Sequence, residues 1–316
     1  MHIYILYMSY QTIQSRLQQA KRVPQEQCRA FYKTGVGEYA EHDQFIGVSV
    51  PELRKIAKDF KRLRIDVQRL LKSSVNEERL LALFVLIDQY HHQAALAEKE
   101  TLYRFYLQKL KYVNNWNLVD ASAHLIIGAH LFSTDKSMLL TLAKSQIMWE
   151  RRIAMVATLY FIRNNQLEWT FKIAQVLLHD THDLIHKAVG WMLREAGKRD
   201  ERQLIAFLNI HARAMPRTML RYAIEKFDES QRKAYLNKLS RSGVKKIPRG
   251  SGITCGSRKR SAEEEDTIGY RKRTEKNMMN YCRVRMATKR KKITPLSIPK
   301  KKTYNGLSSP RCHVCR

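Results

Sequence analysis

The first 240 residues hold only three prolines, six glycines and one cysteine. Breaks between elements are therefore few, and a disulfide framework has nothing to be built from. No apolar run approaches the ~18–20 residues that a membrane-spanning helix needs. Met1–Met8 is too short for a secretory signal and lacks its basic start and small-residue cleavage site. The expected setting is intracellular, without a membrane partner: cytoplasmic and nucleoid-associated in a bacterium, nuclear in a eukaryote. Acidic residues are scarce too, with 29 Asp+Glu against 58 Lys+Arg in 316 residues, a net charge of +29. A polyanion is the first partner such a balance points to. With 44% hydrophobic residues, the chain as a whole is not a disordered polycation.

The charge is unevenly placed. Residues 1–240 carry 36 Lys+Arg and 24 Asp+Glu, whereas residues 241–316 carry 22 and 5. No Phe or Trp follows Ser240, and a segment so poor in large apolar groups cannot offset the entropy of ordering its backbone. Three parts are expected: an extension at 1–8, a domain at 9–240 and a basic, disordered tail at 241–316. The tail's clusters, such as Lys289-Arg290-Lys291-Lys292, fit a nucleic-acid tether, an import signal, a plain solvated tail or a translation artefact. Cys312-His313-Val314-Cys315 supplies only half the ligands of a structural zinc site.

Through residues 9–240 apolar positions recur every three to four residues, which predicts helices throughout. Ser49 before Pro51, Pro24 and Pro216 mark helix starts, and 35–47 reads as one long loop. The segments at 150–161, 184–196 and 218–227 look alike, each with a basic residue before a small apolar stretch. Their markers Arg152, Lys187 and Arg221 are 35 and 34 residues apart. Helices at 77–90 and 119–132 fit the same scheme more loosely. Helix pairs at this period predict an all-α fold, an α-solenoid of HEAT-like repeats with a concave basic face; a compact irregular bundle is the competing arrangement.

At about 100° per residue, Ile185, Ala188, Val189, Met192, Leu193 and Ala196 form one apolar stripe. Trp191 falls off it, within ~60° of Lys187, Arg194 and Lys198. It either lines a cleft or packs on the next repeat. The same sorting puts Leu118, Ser122, Leu125, Ala129 and Phe132 inward and Asp120 outward, with Trp116 one turn earlier on nearly the same side. Arg152 and Arg163 lie opposite the stripe of Ile153, Ala157, Tyr160 and Phe161. If these directions converge, one cleft holds two indoles, a carboxylate and an arginine. Indoles stack on bases and sugars, arginine grips phosphate, and an ionised carboxylate stabilises a developing oxocarbenium ion or orients water. One carboxylate suffices for N-glycosidic cleavage only where the base is already a good leaving group, as a cationic alkylpurine is. Asp120 also fits a plain first-turn acid on a helix dipole.

Four blocks, 31–60, 114–123 (NNWNLVDASA), 149–157 (WERRIAMVA) and 185–200 (IHKAVGWMLREAGKRD), resemble the DNA alkylation repair family, the AlkD-like HEAT-repeat DNA glycosylases, over roughly residues 9–238. The resemblance implies release of 3- and 7-alkylpurines from double-stranded DNA by a monomeric enzyme without metal or cofactor. It also implies recognition through the DNA backbone. Asp120 would be the catalytic carboxylate, Trp116 and Trp191 would contact the lesion's deoxyribose and backbone, and Arg152 would hold phosphate. Tyr32 corresponds to the family's aromatic residue near the first repeats, and Lys187, Arg194 and Lys198 are further candidates for DNA contact. Asn117 departs from the acid that follows the tryptophan in some members. The competing function is a non-catalytic module that binds damaged DNA or another polyanion with the same face. His179, His182 and His186 are spaced like metal ligands, but no Glu completes a protease-type motif, so no metal site is expected. Cys28 reads as a packed thiol, and Gly35-Val36-Gly37 lacks the Lys-Ser/Thr of a phosphate-binding loop.

Overall fold

The computed structural model describes residues 10–59 and 66–240, without the side chains of 238–240. The expected extension at 1–8 and tail at 241–316, including its cysteines, lie outside the described residues. Within them regular structure is helical, and strand-like pairing is limited to two isolated bridges, Lys21 with Val48 and Gln44 with Val75. The helices are α1 (Tyr10–Gln19), α2 (Gln25–Tyr32), α3 (Val50–Asp59), α4 (Val67–Leu71), α5 (Asn76–His92), α6 (Leu96–Gln108) and α7 (Trp116–Leu131). They continue with α8 (Ser137–Ala143), α9 (Met148–Arg163), α10 (Glu168–Val176), α11 (Asp183–Gly197), α12 (Glu201–His211), α13 (Arg217–Ala223) and α14 (Glu229–Ser240).

The repeats are those the spacing predicts. Helices α9, α11 and α13 begin at residues 148, 183 and 217, which are 35 and 34 apart. One layer is formed by α5, α7, α9, α11 and α13 packing in succession. A second is formed by α6 against α5 and α7, α8 against α9, α10 against α9 and α11, and α12 against α11. This is an α-solenoid of helical repeats. Pro24 and Pro216 stand immediately before α2 and α13, and Pro51 is the second residue of α3. Helix α13 is shorter than expected: Phe227 N–H donates to the Ile224 carbonyl, and the tighter three-residue closure turns the chain away.

The stripes predicted for α7 and α9 were too narrow and partly misplaced, since Leu125, Ala129, Phe132 and Tyr160 are only partly buried. Val119, Ala121, Ala123, Ile126 and Ile127 are buried along with Leu118 and Ser122, and α9 is buried continuously from Arg152 to Leu159. A helix between two neighbours in its own layer and a partner in the other has almost no free flank. The seams between these helices are close. A Cβ on Gly128 would meet the Ala157 carbonyl oxygen at 2.2 Å and Tyr160 Cβ at 2.8 Å. One on Gly190 would meet the Met219 carbonyl oxygen at 2.4 Å and Tyr222 Cβ at 2.5 Å. Each glycine thus faces residues 29 and 32 positions ahead, so the α7–α9 and α11–α13 seams repeat the same contact.

Candidate active site

The starts of α5 and α7 carry a cluster of buried polar groups, Asn76, Glu77, Glu78, Arg79, Asn115 and Asn117. Asp43, in the loop between α2 and α3, joins the two starts. Its Oδ1 accepts from Arg79 Nη2 at 2.6 Å, and its Oδ2 accepts from the side-chain amides of Asn76 and Asn115, each at 2.9 Å. Arg79 and Asp43 side chains are each 5% exposed. The base of the loop is fixed by Glu77, whose carboxylate accepts from the N–H groups of Ile46 and Gly47 and more weakly from Val48. Gly47 is needed there: its φ is +99°, and a Cβ would lie 2.0 Å from the Val23 carbonyl oxygen. Asn117, the departure noted in the sequence, donates to Asn76 Oδ1 at 2.6 Å and is buried. No acid is missed at that position, because the neighbour is an amide.

The end of α2 and the loop after it deliver aromatic rings to the start of α7. Tyr32 stacks between Phe45, at 4.4 Å, and Trp116, at 5.3 Å, and Phe31 meets Trp116 edge-on. Such pairs contribute about 0.5–1.5 kcal/mol each beyond their burial. Tyr39 hydrogen-bonds Trp116 and meets Trp149 of α9 edge-on. Burial pushes the Tyr39 hydroxyl up to about 12, against the opposing pull of Trp116 and Arg152, so it stays a neutral phenol. Trp116 is only 8% exposed beneath these rings. The indole expected to line a cleft is instead covered by side chains from another element.

Asp120 lies one turn after Trp116 on α7 and remains partly open, its side chain 14% exposed. Arg152 grips it bidentately, Nε to Oδ1 at 3.0 Å and Nη2 to Oδ2 at 2.9 Å, and its Nη1 donates to the Leu184 carbonyl at the start of α11. Every nitrogen of the guanidinium has a protein partner, and the residue is 5% exposed. The arginine expected to hold phosphate is here committed to the carboxylate. The preceding residue, Arg151, makes a parallel clamp, donating to Asp180 Oδ2 at 2.6 Å and to the Ser145 and Gln146 carbonyls.

Trp191 stands on α11 off the apolar stripe, as sorted, but is half-buried against the core, and its indole N–H has no acceptor. It is about 10 Å along the helix axis from Leu184. Its cationic neighbours are ion-paired: Lys187 to Asp183, Arg194 to Glu195 and Glu225, Lys198 to Glu195. The structure joins Asp120 to Arg152 and Tyr32 to Trp116, and it holds Lys187, Arg194 and Lys198 on α11 in ion pairs of their own. Sequence reasoning missed Tyr39, Asp43 and Trp149. Of the histidines, His182 caps α11 and His186 meets the Asp180 carbonyl, so both have structural partners. Among the described residues no group of three His, Cys, Asp or Glu is placed to hold a metal ion.

A family model described as DNA alkylation repair enzyme matches residues 13–227. Among solved structures, the chain is similar to a predicted DNA alkylation repair enzyme from Enterococcus faecalis. The two share 16% identity with a TM-score of 0.51, over 66% of this chain and 98% of that one. At that identity the likeness concerns the fold. No curated protein matches the chain.

Proposed function

The chain belongs to the family of DNA alkylation repair enzymes, and from that membership we propose that it is a DNA glycosylase releasing cationic 3- or 7-alkylpurines from double-stranded DNA. The observation that carries this reading is the partly open carboxylate of Asp120, held bidentately by Arg152 one helical turn from Trp116. A carboxylate has about four lone-pair sites and Arg152 engages two, leaving two for a water or a sugar cation. In a cationic alkylpurine the glycosidic bond breaks with its electron pair going to the base, which leaves neutral. No general acid is then needed. Asp120 stabilises the positive charge developing at C1′ and orients the water that adds there, taking up a proton of that water.

Arg152 in this scheme fixes the carboxylate rather than binding phosphate. Trp191 offers ring surface to the sugar and backbone, whereas Tyr32, stacked on both faces, supports Trp116. Lys187, Arg194 and Lys198 reach DNA phosphate only in exchange for their acidic partners. The protein acts as a monomer on duplex DNA, without a metal or cofactor.

The covered Trp116 and the occupied oxygens of Asp120 favour a second reading, a non-catalytic module that binds damaged DNA. Base release from duplexes containing N7-methylguanine separates the two. The proposal expects release by the wild type, and at least about 10²-fold slower release by Asp120→Asn at similar DNA affinity. Wild-type protein that releases no base, or an Asp120→Asn variant as fast as wild type, sinks the catalytic reading.

A further inference from the structure

Leu184 has both backbone groups in the hydrogen-bond chain that ends at Asp120. Its carbonyl accepts from Arg152, and its N–H donates to Nδ1 of His182, the N-cap of α11, at 3.1 Å. A ring nitrogen that accepts from a backbone N–H must hold a lone pair, so this imidazole is neutral with its proton on Nε2. Helix N-caps are ordinarily Ser, Thr, Asp or Asn, whose acceptor oxygens persist across the neutral range. A histidine in this place ties the cap to a proton.

We propose that His182 is a positioning residue for Asp120, acting through the first turn of α11 and the guanidinium of Arg152. The surroundings fix the cap tightly enough for this. Asp180 Oδ1 accepts from the His182 backbone N–H at 2.8 Å while its other oxygen is held by Arg151 of α9. Successive arginines of α9 thus clamp the entry to α11, Arg151 through Asp180 in the segment before it and Arg152 through Leu184 in its first turn. Protonating His182 removes the acceptor for Leu184 N–H and adds a cation facing Arg151. Both changes loosen the turn that anchors Arg152, and with it the orientation of Asp120. The groups facing the imidazole are divided. Burial, Arg151 and His186 oppose the charged form, whereas Asp180 and Asp183 favour it, and burial is the largest influence. The neutral cap is therefore kept below the ordinary histidine value of 6.5.

The activity arm of the test rests on the glycosylase reading, and the spectroscopic arm does not. In the first arm, pH–rate profiles of N7-methylguanine release are compared for wild type, His182→Asn and His182→Ala. Asparagine can cap the helix but does not titrate. Wild type should lose kcat on an acidic limb below pH 6.5. His182→Asn should keep kcat within about threefold and lack that limb, and His182→Ala should lose about tenfold or more in kcat with little change in KM. The same limb in His182→Asn, or wild-type kcat in His182→Ala, overturns the assignment. In the second arm, the Arg152 Nε–H resonance is followed by NMR through the same pH range. It should titrate in wild type and stay flat in His182→Asn. A flat resonance in wild type refutes the relay even if no base is released. A titrating resonance without base release sinks the glycosylase reading alone.

Discussion

Replacing Arg152 with Met separates two roles that an arginine can have beside DNA. The substitution leaves an Asp120 carboxylate whose side chain is 14% exposed without its bidentate partner, and the Leu184 carbonyl without a donor. Removing one member of a buried pair costs about 3–5 kcal/mol, and Asp120's access to water brings the total, the carbonyl included, to about 3 kcal/mol. For a domain of this size that lowers Tm by about 6–12 °C. If Arg152 positions Asp120, kcat for base release falls about 10²-fold, because the reacting carboxylate is no longer held in register. The salt dependence of DNA binding then stays as in wild type. If Arg152 holds a phosphate, log K against log salt becomes shallower by about 0.9. Thermal melts, single-turnover release and binding titrations across salt read the three quantities. A shallower slope with kcat preserved would refute the positioning argument, and it would mean that Arg152 leaves Asp120 when DNA arrives.

Asp43→Ala should destabilise by about 3–5 kcal/mol, because it strands the Arg79 guanidinium and frees the amides of Asn76 and Asn115; urea unfolding measures it, and a loss under about 1 kcal/mol contradicts the account of the loop. Gly190→Ala should cost about 1–3 kcal/mol, since the added methyl meets a backbone carbonyl rather than a yielding side chain; an unchanged Tm would show that the α11–α13 seam can open. Burial holds His130 and His182 below the ordinary histidine value, so each binds its proton less readily folded than unfolded. Their contribution to stability is complete above pH 6.5 and is lost as pH falls through the folded values. Chemical denaturation at a series of pH values should show this decline, and His130→Asn should lessen it.

The helical layers were legible because they follow from a period. Apolar residues every three to four positions, and basic markers 35 and 34 apart, located α9, α11 and the start of α13. The site was legible where directions repeat from helix to helix, which is how Asp120 and Arg152 came to face each other. What could not be read were contacts set by another element. An arginine opposite an apolar stripe reads as exposed, and Arg152 is buried because α7 and α11 close on both sides of α9. Trp116 is covered by Tyr32 from the end of α2 and by Tyr39 from a loop without periodicity. Asp43 bonds partners 33, 36 and 72 residues away, and nothing near it in sequence announces them.

Glu77 has a consequence for any search for phosphate contacts on this protein. Consecutive backbone N–H groups at Ile46, Gly47 and Val48 converge on its carboxylate, the kind of concavity that holds phosphate in other folds. Here the anion is supplied by the chain itself, from a helix some thirty residues away, at an effective concentration that dilute inorganic phosphate cannot match. The loop is thus an anion receptor shipped with its ligand bound. Glu77→Gln would leave the same receptor with a neutral occupant, the condition in which an added oxyanion could first compete for it.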